Sequence, residues 1–61
     1  MTAMELLLKE IDEKRDALQR AVTDGAAKDY AMYRELCGEI RGLSTAHMFV
    51  SDLVRRMEND E

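Results

Sequence analysis

Residues 33–57, YRELCGEIRGLSTAHMFVSDLVRRM, decide the fold of this chain. Within them Tyr33, Leu36, Ile40, Leu43, His47, Val50, Val54 and Met57 recur at alternating spacings of three and four. That is the a/d pattern of a helix that lays one apolar seam against another helix, sustained for almost four heptads. Cys37, Phe49 and Leu53 widen the seam. The pattern predicts one long helix over about residues 30–58, roughly 44 Å at 1.5 Å per residue.

Upstream, the chain breaks at Thr23-Asp24-Gly25, where glycine suits the left-handed position that closes many helices. Ala26-Ala27-Lys28 makes a short connection, and Asp29 is placed to cap the next helix. Before the break, Met4, Leu7, Leu8, Ile11, Leu18, Ala21 and Val22 form a second stripe at helical spacing. Thr2-Ala3-Met4-Glu5 has the form of a capping box. A first helix over about residues 3–23 follows, roughly 31 Å long. Its stripe is weakest at Lys14 and Arg15, whose aliphatic stems can cover the seam while their charges reach water. Glu5–Lys9, Glu10–Lys14, Asp16–Arg20 and Asp52–Arg56 are spaced as i,i+4 ion pairs.

A turn over about residues 24–29 forces the helices to be antiparallel neighbours. The expected fold is therefore all-α, a two-helix hairpin forming a single domain over residues 1–61. Folded back from the bend, Met4 is expected near His47, Ile11 near Ile40 and Leu18 near Tyr33. The longer helix then overhangs, with Val50, Leu53, Val54 and Met57 unpartnered and an acidic end, Asn59-Asp60-Glu61, that frays. Two helices offer each other only one contact face, so the core is expected to be completed by self-association or by a partner protein.

Composition narrows the functions. The chain has 61 residues, no proline or tryptophan, and a net charge of -4 from 9 basic and 13 acidic residues. Phosphate binding needs a surplus of Lys and Arg on one face, so nucleic acid is not expected as a partner. Apolar runs such as Leu6-Leu7-Leu8 are too short for a signal peptide or a membrane span. A membrane partner is likewise not expected, and the single cysteine, Cys37, allows no disulfide within the chain.

No nucleophile elbow, phosphate-cradling loop or Ser/His/Asp spacing is visible, and no enzyme activity, catalytic residue or cofactor is expected. His47 is the only histidine, and with Cys37 ten residues away one chain supplies no zinc site. For His47 two readings stand: a histidine at the core edge bonded to a neighbour, or one that tunes an interface with pH. Cys37 reads as a small apolar residue. Gly38 and Gly42, continued by Ala46, make a row of small residues beside the seam. Each glycine costs a helix about 0.8–1 kcal/mol relative to alanine. The row reads either as a second contact face or as a solvated side. The residues expected to touch a partner protein are thus Gly38, Gly42, Ala46, Val50, Leu53, Val54 and Met57.

Residues 27–43, AKDYAMYRELCGEIRGL, resemble a segment of short helical proteins of tailed bacteriophages. In those, a Lys/Gln-Asp-Tyr-Ala-x-Tyr stretch leads into a Gly-x-Ile-x-Gly-Leu helix after one shorter helix. The resemblance covers the bend and half of the second helix. It implies a small virion or assembly component bound to a capsid, portal or tail protein, found in the virion or the host cytoplasm. The alternative it leaves open is a small phage-encoded inhibitor or modulator of a host or defence protein.

Overall fold

A computed structural model describes residues 2–59. They hold two helices and no strand: α1, Ala3–Thr23, and α2, Tyr30–Asn59. The all-α hairpin expected from the sequence is the fold. Asn59 is the last helical residue described, and Asp60 and Glu61 of the expected fraying end lie outside the described residues.

Three of the helix ends are set by local chemistry that the sequence spelled out. Thr2 is extended at the N-cap of α1, and its hydroxyl accepts from the Glu5 N–H at 3.1 Å. At the other end Gly25 takes φ +77°. The Ala26 N–H donates to the Ala21 carbonyl at 2.9 Å and the Gly25 N–H to that of Val22 at 3.2 Å. This paired closure satisfies two carbonyls that the helix end would leave open, and it requires the left-handed residue that only glycine adopts cheaply. Asp29 then starts α2, its carboxylate accepting from the Met32 N–H at 2.8 Å.

The helices run antiparallel, but in a different register from the one expected. Asp12 lies opposite His47 and Arg15 opposite Ser44. Met4 shares one shallow depression with Val54 and Met57. Relative to the expected pairing of Met4 with His47, α1 is displaced by about eight residues along α2, roughly 12 Å. The reason is polar matching. The expected register sets Arg15 against Leu36 and Asp12 against Glu39, and it strips the C-terminal turns of α2 of any neighbour. The observed register pairs the polar middle of α1 with Ser44 and His47. It also covers Val50 and Val54, which are half-buried.

The overhang consequently falls at the bend. Tyr33, expected on the seam, is 43% exposed, because α1 has already ended when α2 begins. Leu7, also expected on the stripe, is 42% exposed, and its place at the seam is taken by Asp12 and Arg15. The ion pairs are rearranged too. Lys9 pairs with Glu13 at 3.9 Å, Arg15 with Asp12 at 2.8 Å and Arg55 with Asp52 at 2.6 Å, in place of the i,i+4 pairs expected. The Lys9–Glu13 and Arg55–Asp52 pairs are exposed and contribute little to stability.

The hairpin is a rod of 50 × 18 × 13 Å with a radius of gyration of 14.4 Å. A compact chain of this length has a radius of about 10.5 Å. Among the described residues none is fully buried.

Candidate functional site

The seam divides the hairpin into two unlike faces. On one, polar side chains from both helices meet. Arg15 and His47 Nε2 both reach Asp12 Oδ1, at 2.8 Å and 3.2 Å. Arg15 also donates to Ser44 Oγ at 3.4 Å, and Ser51 Oγ lies 3.4 Å from His47 Nδ1. The partners of His47 are not legible in the sequence, because Asp12 comes from the other helix and its approach depends on the register. His47 is here a core-edge residue held by its neighbours.

Asp12, His47 and Ser51 form an Asp–His–Ser row that spans the two helices. Ser51 and His47 lie within α2, where backbone N–H groups are tied into i→i−4 bonds. The cluster is specific to the observed register: a slip of one turn separates Asp12 from His47 and Arg15 from Ser44.

The opposite face is charged toward the bend, at Lys14 and Glu39, and apolar toward the open end of the hairpin. Lys14 and Leu18 of α1 and Glu39, Gly42 and Leu43 of α2 line one groove, which places these flanks of the two helices on the same side. At 100° per residue, Gly42, Ala46, Leu53 and Met57 fall within about 60° of one another along this side of α2, with Phe49 and Val50 bordering the strip. Met57 is 59% exposed and Phe49 68%, while Leu53 and Leu7 are more than a third exposed. A single exposed leucine is ordinary, but a run of large apolar side chains along one face marks a contact surface.

The residues expected to touch a partner are therefore split by the structure. Val50 and Val54 are half-buried against α1, as is Ala46, so they are not a free overhang. Leu53, Met57, Gly38 and Gly42 are exposed. A Cβ at Gly38 or Gly42 would meet nothing within 4 Å, so neither glycine is needed for packing inside the hairpin. The sequence missed Leu7 and Phe49 as surface partners of this strip, having placed both on the seam or its margin.

The bend carries a smaller aromatic cluster. Tyr30 and Tyr33 stack with ring centroids 6.3 Å apart and an interplanar angle of 29°. The Cys37 side chain, above all, holds the Tyr33 phenol above its ordinary value of 10.0, with loss of solvent contact adding to the shift. Cys37 itself is a free, half-buried thiol. Among the described residues no three His, Cys, Asp or Glu side chains converge to hold a metal ion. No described helix is long and apolar enough to cross a membrane.

No protein-family model, curated protein or solved structure matches the chain.

Proposed function

We propose that this chain is a non-enzymatic protein–protein interaction module that docks through the apolar face of its hairpin. The observation that carries the reading is the combination of a hairpin with no fully buried residue among those described and a strip of exposed Leu53, Met57, Phe49 and Leu7 on one side. Such a surface loses water favourably when a partner covers it, at roughly 25 cal/mol per Å² of apolar area. The polar face across the seam is specific to the observed register, so the docking strip is presented on a defined scaffold.

The resemblance of residues 27–43 to short phage proteins supports a narrower form of the proposal: a small virion or assembly component, bound to a capsid, portal or tail protein. Mass spectrometry of purified particles of the encoding phage tests it. The chain is expected among the particle proteins, and Leu53→Glu is expected to reduce its incorporation while leaving its helicity intact. Absence of the wild-type chain from particles overturns the virion role and shifts weight to the modulator of a host protein.

A further inference from the structure

Building on that docking reading, we propose that the occupant of the apolar face is a second copy of this chain. The two copies pair antiparallel about a twofold axis at the level of Phe49 and Val50, so that Leu53 and Met57 of each copy seat on Ala46 and Gly42 of the other. Three observations lead here.

The first is area. The hairpin exposes 4917 Å². A compact monomer of 7.0 kDa exposes about 4,000 Å², which leaves about 900 Å² in excess. The excess belongs to the rod as a whole, so about 1,800 Å² in total is the upper bound for what two copies bury by covering it, a size that reaches the range of a stable, specific interface. The second is spacing. The strip holds two small residues four apart, Gly42 and Ala46, and two large ones four apart, Leu53 and Met57. An antiparallel twofold pairing superposes large on small at both places at once, because 42 with 57 and 46 with 53 share one midpoint. This is the self-complementarity that an isologous contact demands. The third is room. The space over Gly42 is open, and the groove it lines with Leu18 and Leu43 is a seat for an unbranched methionine side chain. Gly38 lies beyond the end of the paired segment.

Sedimentation equilibrium at micromolar concentration tests the pairing. The expected mass is twice 7.0 kDa. Met57→Glu, and separately Gly42→Leu, are expected to raise the dissociation constant tenfold or more while circular dichroism shows the helices kept. The geometry has its own readout: spin labels on Arg34→Cys in a Cys37→Ala background. Position 34 is 15.5 residues from the axis, so the two labels are expected about 46 Å apart along the rod. A parallel pairing brings them within about 10–20 Å and overturns the proposal. So does a dimer indifferent to both substitutions, and so does a 7.0 kDa monomer throughout. A monomer that still binds a purified virion protein through Leu53 and Met57 overturns the second copy alone and leaves the docking reading standing.

Discussion

Replacing Gly38 by alanine is expected to make the protein more stable. The residue lies inside α2, its φ is negative, and a Cβ added there meets nothing within 4 Å. Neither strain nor overlap opposes the change. What remains is the backbone term: glycine in a helix interior is worse than alanine by about 0.8–1 kcal/mol, because it loses more freedom on folding. For a chain of this size about 1 kcal/mol moves the thermal midpoint by about 4–8 °C. Thermal melts followed at 222 nm, at one fixed protein concentration, measure the shift, since any self-association makes the midpoint depend on concentration. A neutral or lowered midpoint refutes the reasoning. It would mean either that α2 is interrupted at Gly38 or that this side of the helix is pressed against something that the extra methyl group displaces.

Other perturbations follow from the same geometry. Gly25→Ala puts a Cβ on a residue with φ +77° and is expected to destabilise by about 1–2 kcal/mol, seen as a lower urea midpoint. Asp29→Ala removes the carboxylate that accepts from Met32 and is expected to cost about 0.5–2 kcal/mol in the same assay, whereas Asp29→Asn is expected to retain most of the cap. Cys37→Ala is expected to bring the Tyr33 phenol back down toward 10.0, read as an earlier rise in ultraviolet absorbance at alkaline pH. Because the folded state raises this group, whatever stability the contact lends is present below about pH 10 and is lost as the pH rises through the folded value.

Both helices and the turn between them were legible because their punctuation is chemical. Thr2, Gly25 and Asp29 each satisfy backbone groups that a helix end leaves open, and such residues can be read one at a time. The register was not legible in the same way. Sliding one seam past another by about two turns keeps apolar residues facing apolar residues, so periodicity ranks the alternatives almost equally. The choice is made by a few polar residues, Asp12 and Arg15 against Ser44 and His47, whose partners lie 29–35 residues away. The candidate surface inherits that split. Gly42, Leu53 and Met57 stand out as exposed small or apolar positions whichever register holds. Val50 and Val54 looked free only because the sequence placed α1 too close to the bend, and Leu7 looked covered because nothing in the periodicity shows Asp12 and Arg15 turned toward α2.

Which apolar side chains are covered and which are free therefore depends on one alignment of α1 against α2. Nuclear Overhauser contacts from the Met4 methyl group report it most directly. The expected contacts are to Val54 and Met57, with which Met4 shares a depression at the open end of the hairpin. Contacts to the His47 ring instead would restore the displaced register, leave Val50 to Met57 as an overhang, and contradict the assignment of the docking strip.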